Sequence, residues 1–449
     1  MTIQEAGAAL RARKVSSLEL TRQCLDRIDK FNSKLNAFIT VTRAAAEKRA
    51  SEMDAELTHG IDRGPLHGIP VAYKDLVFTK GVRTTAGSKV YADFVPDRDA
   101  RIVEQFNTAG VVSIGKTGLH EFAYGITSTN PHYGPVRNPW NPETIPGGSS
   151  GGSGAAVVAG MAFMAIGTDT GGSIRIPAAF CGCVGLKPTY GRVSKDGVFP
   201  LGFTLDHIGP LAMSVRDCAL TFEAISTARG VVPSSNVSLK GVHIGIPENG
   251  FFDRAWPEVK QGATVLTRKA ESLGAIVRSV RLPDLDELNA VARVILLAEA
   301  TAAHANEHAK RDLYGTDVLA LLDEGRLISA SDYINAQRLR RKITASWNAV
   351  WKQVDCLIVP GTPTAAPKIG QNQIEIDGVV DDVRLVTTRL MRGINVLGWP
   401  AVSLPSGFAH NGLPIGVQIL GRANAEKTIL EIGAALEDAT SELRRVPVL

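Results

Sequence analysis

Two glycine-rich stretches flanking one short run of small apolar residues constrain this chain more than any other feature. Residues 147–154 read Gly-Gly-Ser-Ser-Gly-Gly-Ser-Gly, five glycines in eight positions, and Gly167-Thr168-Asp169-Thr170-Gly171-Gly172-Ser173 follows beyond the apolar run 155–165. A flexible linker does not run straight into a close-packed helix. Glycine admits positive φ and lets backbone approach a neighbour or a ligand closely. The spacing therefore predicts two tight turns facing each other across a short helix, each offering serines. Consecutive N–H groups at Thr170, Gly171, Gly172 and Ser173 can converge on one point, which is how an oxyanion hole is built.

The rest of the chain supplies a layered scaffold for such turns. Ser16-Ser17 with Glu19 reads as a capping box, and Leu20, Cys24, Ile28 and Phe31 recur at helical spacing. Residues 36–60 continue as an Ala- and Glu-rich helix, and 69–74 form a short buried strand ending in Lys74. Helices are expected at 99–109, 155–165, 257–274, 284–311 and 331–352, and strands at 111–114, 241–247, 275–280, 354–360, 401–405 and 414–420. This alternation predicts an α/β fold on one large mixed, mostly parallel central sheet flanked by helices on both faces. With no 20–50-residue repeat and no long linker, residues 1–449 read as a single domain, with 284–352 as a helical lid or side layer.

Lys and Arg number 49 against 45 Asp and Glu, with no dense basic stripe, so no nucleic-acid partner is expected. The apolar run 154–167 is shorter than the roughly 20 residues of a membrane span. The first ten residues carry Glu5 and no apolar core of a signal peptide, so a cytoplasmic protein is expected. The five cysteines are odd in number and irregularly spaced, and Cys181 and Cys183 lack a second pair, so neither a disulfide framework nor a metal site is expected. No cofactor is implied.

Two motifs match familiar patterns in the wrong context. Residues 110–117, Gly-Val-Val-Ser-Ile-Gly-Lys-Thr, fit the phosphate-binding G-x4-G-K-[ST] letter for letter. However, their middle is β-branched and apolar, and a strand does not wrap a phosphate. Residues 148–152 fit G-x-S-x-G, but a proline-punctuated loop precedes them where a nucleophile elbow needs a strand. Lys74 is the more interesting base. It ends an apolar strand, and desolvation lowers a lysine from its reference of about 10.4 by up to about 3–5 when burial is complete. A neutral amine is a competent general base. On residue types alone, a salt bridge to Asp75 stays open beside that reading.

Residues 147–156, the run from Gly167 through Ile174-Arg175-Ile176-Pro177 to Gly182, Gly185-Leu186-Lys187-Pro188-Thr189-Tyr190-Gly191, Leu66-His67-Gly68-Ile69-Pro70-Val71-Ala72-Tyr73-Lys74-Asp75 and Gly412-Leu413-Pro414-Ile415-Gly416-Val417-Gln418 together resemble the amidase signature family. The resemblance implies that family's fold and a Ser–cis-Ser–Lys triad, with Ser173 as nucleophile, Ser149 as bridging serine after a cis bond and Lys74 as base. It implies an oxyanion hole at Thr170, Gly171, Gly172 and Ser173, with Ser150, Asp169 and Arg175 holding the loops. Whether Arg175 is only an ion-pair partner stays open.

The implied reaction is hydrolysis of small linear amides through an acyl-enzyme, with anilides, aryl esters and carbamates (urethanes) as further substrates and water as co-reactant. The alternative is the glutaminase (A) subunit of a tRNA-dependent amidotransferase, to which the segment 119–125 through 137–140 is also similar. Residues 284–352 and 393–405 look unlike that subunit's glutamine-handling and docking parts. Tyr124, Ile126, Tyr133 and Phe199, with helices in 284–352, are expected to line the pocket. A homodimer fits the family.

Overall fold

The strands of the computed structural model, which describes residues 1–307 and 309–449, number fifteen in chain order. They are β1 (Phe38–Val41), β2 (Pro70–Lys74), β3 (Val112–Thr117), β4 (Thr129–Asn130), β5 (Gly134–Pro135), β6 (Met164–Asp169), β7 (Val184–Lys187), β8 (His207–Ala212), β9 (His243–Pro247), β10 (Ile276–Val280), β11 (Cys356–Pro360), β12 (Gln373–Ile376), β13 (Val379–Asp382), β14 (Ala401–Phe408) and β15 (Pro414–Gly421). Eleven of them form one sheet in the order β1-β3-β2-β6-β8-β7-β14-β15-β11-β9-β10. The others pair as two small hairpins, β4–β5 and β12–β13.

The α/β class and the mixed sheet are as expected, but the expectation of mostly parallel pairing is not met. Four of the ten pairings are parallel and six antiparallel. Parallel neighbours need a crossover connection, whereas a tight turn forces antiparallel pairing. β14 and β15 are joined by such a turn, closed by Ala409 N–H on the Leu413 carbonyl at 2.9 Å. β7 and β8 are absent from the strands expected of the sequence, and they bring three antiparallel pairings into the sheet centre.

Several boundaries differ for local reasons. The expected helix over 36–60 is interrupted: Asn36 takes a left-handed conformation that closes the helix Ser17–Leu35, and β-branched Ile39, Thr40 and Val41 then run as β1 before the helix Arg43–Thr58 begins. The small-residue helix spans Gly151–Val158 rather than 155–165, so it begins inside the first glycine stretch. Glycine is required there, because a Cβ on Gly152 would lie 2.4 Å from the Gly118 carbonyl oxygen and 2.6 Å from that of Ala37. A further helix, Thr316–Gly325, falls between the two expected in 284–352.

The phosphate-loop look-alike is β3. Gly115 is glycine because a Cβ would meet the Thr40 carbonyl of β1 at 2.2 Å. Lys116 is buried, donating to the Val77 carbonyl and, at 3.0 Å, to Thr84 Oγ1. All five cysteines are unpaired and buried. Among the described residues no helix is long and apolar enough to cross a membrane.

Candidate active site

The two glycine-rich loops meet at the ends of β2 and β6. The backbone N–H of Ser150 donates to the Ser173 carbonyl at 3.2 Å, tying one loop to the other. Ser150 Oγ donates to the Thr168 carbonyl at 3.1 Å and accepts from the Thr168 N–H at 3.2 Å, pinning the first loop to β6. The Gly148–Ser149 peptide bond is cis. The hydroxyl of Ser128 donates to the Gly147 carbonyl at 2.9 Å and accepts from Gly151 N–H at 3.1 Å, bracing that turn from outside.

Lys74, the last residue of β2, is fully buried. Its Nζ lies 2.7 Å from Ser149 Oγ and 2.7 Å from Thr168 Oγ1. Its neighbour Asp75 instead accepts from the Thr85 N–H at 3.0 Å and from the Thr85 hydroxyl at 2.5 Å. The salt bridge left open by the sequence is therefore not made. Burial lowers the Lys74 pKa from 10.5 to about 7 against the opposing pull of Asp206 and Asp169. At neutral pH a large share of this amine is unprotonated. Ser173 lines the cavity above, and its hydroxyl makes no hydrogen bond among the described residues.

Asp169 and Arg175 form a wholly buried ion pair at 2.9 Å. Burial opposes ionisation of Asp169, but Arg175 beside it and the Asn395 amide hold its carboxyl well below the usual range. Its two oxygens also accept from the N–H groups of Gly172 (2.8 Å) and Ile174 (3.2 Å). Arg175 reaches on to Gln418 Oε1 (2.9 Å), Asn395 Oδ1 (2.7 Å) and the Met391 carbonyl (3.1 Å). Arg175 is thus a knot between the second loop, β15 and the helix Arg392–Leu397, and more than the partner of one carboxylate.

This knot corrects one expected donor. Gly172 gives its N–H inward to Asp169, so it does not face the cavity. The N–H groups of Thr170, Gly171 and Ser173 have no acceptor among the described residues, and these three residues line the cavity.

Tyr124 and Ile126 stand in the wall of this cavity as expected. Tyr133 is elsewhere: its N–H donates to Asn130 Oδ1 at 3.0 Å and its carbonyl accepts from the Asn36 amide, which makes it part of a turn. Phe199 is also displaced. Its ring sits 4.5 Å from that of Tyr91 and 5.4 Å from that of Phe78, an aromatic cluster that draws it to a neighbouring cavity beside Thr168 and Asp206. From 284–352 the cavity takes Arg293, Leu296, Leu297 and Leu321.

Sequence reasoning missed Thr168, Ser128 and Asn395, and also Arg384, Leu385, Thr388 and Arg392 of the cavity wall. Thr168 was findable, being a hydroxyl at the end of an apolar run that must pair beside β2. The residues of 383–395 carry no local signal, since only the tertiary fold brings them over the second loop.

The family model described as Amidase matches residues 19–430. The chain is 36% identical over 487 aligned residues to the A subunit of the glutamyl-tRNA(Gln) amidotransferase of Carboxydothermus hydrogenoformans, covering 100% of this chain and 99% of that protein. It superposes at TM-score 0.95 and 34% identity, over 100% of both chains, on a solved structure described as an unexpected vestigial protein complex that reveals the evolutionary origins of an s-triazine catabolic enzyme. The corresponding A subunit of the Thermotoga maritima amidotransferase superposes at TM-score 0.82 and 32% identity, over 100% of this chain and 97% of the other.

Proposed function

We propose that this chain, which belongs to the amidase family, hydrolyses the C–N bond of a small amide through an acyl-enzyme on Ser173. The observation that carries this reading is a dry lysine with a pKa of about 7, 2.7 Å from Ser149 and beneath a cavity that Ser173 lines. Unprotonated Lys74 takes the proton of Ser149 as Ser149 takes that of Ser173, and Ser173 Oγ attacks the carbonyl. The Ser173 hydroxyl makes no hydrogen bond among the described residues, consistent with catalytic hydrogen bonds that tighten only when substrate is bound. The N–H groups of Thr170, Gly171 and Ser173 receive the oxyanion, each donor being worth roughly 10²–10³ in rate. The proton returns through Ser149 to the leaving nitrogen, and water then cleaves the ester by the same relay. Asp169 and Arg175 fix the loop that presents these donors. Residues 1–449 act as one catalytic domain, and anilides, aryl esters and carbamates are open to the same chemistry.

A second reading, the ammonia-supplying glutaminase component of a tRNA-dependent amidotransferase, is favoured by the curated relatives, which carry that name over their whole length. Glutamine hydrolysis that rises when a partner protein is added supports it. A stand-alone release of amine from an amide and anilide panel supports the first reading. In either case Ser173→Ala and Lys74→Ala abolish turnover without unfolding the chain, and near-normal kcat of Lys74→Ala across pH 6–9 would reject the base.

A further inference from the structure

Arg392, at the start of the helix Arg392–Leu397, is a cation without a counter-charge beside the oxyanion loop. A Cβ placed on Gly171 would sit 3.6 Å from Arg392 Cγ and 3.9 Å from its Nε, so the side chain lies against the loop that carries the free N–H groups. Arg392 makes no ion pair among the described residues. Its guanidinium donates to Thr388 Oγ1 at 2.7 Å. The charged groups that face it are two further cavity residues, Arg293 and Arg384, with the Tyr124 phenol also near. Burial, together with those two cations, brings its pKa from 12.5 down to about 10.

Its two companions differ. Arg293 is paired with Glu324 at 2.5 Å and Arg384 lies 3.7 Å from Asp382, and both side chains are nearly half exposed. No aspartate or glutamate lines the cavity among the described residues. The remaining wall around Arg392 is apolar, contributed by Ile126, Leu296, Leu297 and Leu385.

A guanidinium is a planar fork of donors that matches a carboxylate in two parallel hydrogen bonds. One held in a mostly apolar wall, with a single neutral partner, costs the fold stability until an anion completes it. Resting on the acyl-enzyme reading above, we propose that the amide substrate carries a carboxylate on its acyl side, bound by Arg392 with Arg293 and Arg384 nearby. An amino acid is disfavoured, because its α-ammonium meets the unpaired cation Arg392 in a wall that no aspartate or glutamate lines among the described residues. The site thus selects monoamides of short dicarboxylic acids, and this separates it from a glutamine pocket.

Ammonia release from amides of matched shape tests this: glutaramate (an anion), valeramide (its neutral counterpart) and L-glutamine (a zwitterion), with malonamate and succinamate covering shorter spacings. The expected kcat/KM for the best anion exceeds its neutral counterpart by on the order of 100-fold, the scale of charge-assisted hydrogen bonds. Arg392→Gln collapses that ratio toward one, with the loss falling mainly on the anion, and Arg392→Lys recovers part of it. Equal loss on both substrates, a neutral amide as good as the anion, or glutamine at or above glutaramate would each overturn the proposal. Hydrolysis of p-nitrophenyl acetate reports the acyl-enzyme chemistry separately. Ser173-dependent turnover there with no anion preference overturns the carboxylate site alone, whereas no Ser173-dependent turnover of any substrate overturns the acyl-enzyme reading beneath it.

Discussion

Thr168→Val is the sharpest perturbation of the proposed base. Thr168 is buried, and its hydroxyl is one of the two oxygens within 2.7 Å of Lys74 Nζ, the other being Ser149. Valine keeps the shape and removes the acceptor, leaving Ser149 and the oxyanion loop in place. A hydrogen bond to a charged group is worth about 1.5–3 kcal/mol and one between neutral groups about 0.5–1.5 kcal/mol, so the ammonium loses more than the amine by about 1–1.5 kcal/mol. At 1.36 kcal/mol per unit this lowers the Lys74 pKa by about one. In the parent enzyme the acid limb of kcat/KM should fall at about 7, where burial has placed this group, with activity rising as pH increases and the amine deprotonates. In Thr168→Val the limb should move to about 6, with a lower plateau from the weaker base. The assay is kcat/KM for a neutral ester or amide from pH 5 to 9 in constant ionic strength. A limb that stays in place, or moves upward, would refute the assignment of that limb to Lys74 and with it the role of burial in tuning the base.

Other consequences are independent of that profile. Lys74 in the unfolded chain keeps its proton up to about 10.5 but releases it at about 7 when folded, so the unfolded state binds more protons in between and this group makes stability rise with pH over that window. Urea titrations of Lys74→Met should show that part of the slope removed. Arg175→Met leaves Asp169 buried and unpaired and should cost about 3–5 kcal/mol in chemical denaturation, whereas Arg98→Met, which breaks an exposed and solvent-screened pair with Asp196, should leave the denaturation midpoint essentially unchanged. Gly115→Ala forces a Cβ into the Thr40 carbonyl and should destabilise by at least about 1–3 kcal/mol with little change in kcat of the folded fraction. A kcat loss larger than the stability loss would show that β3 does more than hold the sheet.

What the sequence disclosed and what it hid divide along a physical line. The burial of Lys74 was legible because an isolated cation inside an apolar strand has few fates, and desolvation is one of them. The meeting of the loops that carry Ser149 and Ser173 was legible because glycine clusters mark where backbone must come close, and Gly152 against the Gly118 and Ala37 carbonyls shows that closeness. The direction of strand pairing was not legible: β7 and β8 are short and carry Gly185, Gly209 and Pro210, which blunt the alternation that marks a strand. Tyr133 and Phe199 failed for a different reason. Proximity in sequence to the loops says nothing about which wall a side chain reaches, and Phe199 has a more favourable partner set in Tyr91, Phe78, Phe94 and Phe122 than in the cavity. Arg392 was hidden most deeply, since it follows Ser173 by more than two hundred residues and no local pattern distinguishes it from any other arginine near a helix start. Chemistry that the backbone builds, such as free N–H groups and a dry amine, leaves a local signature in glycine and apolar runs. Selectivity that distant side chains impose leaves none, so the loops and the buried lysine could be read from the chain while the arginines of the cavity wall needed the fold.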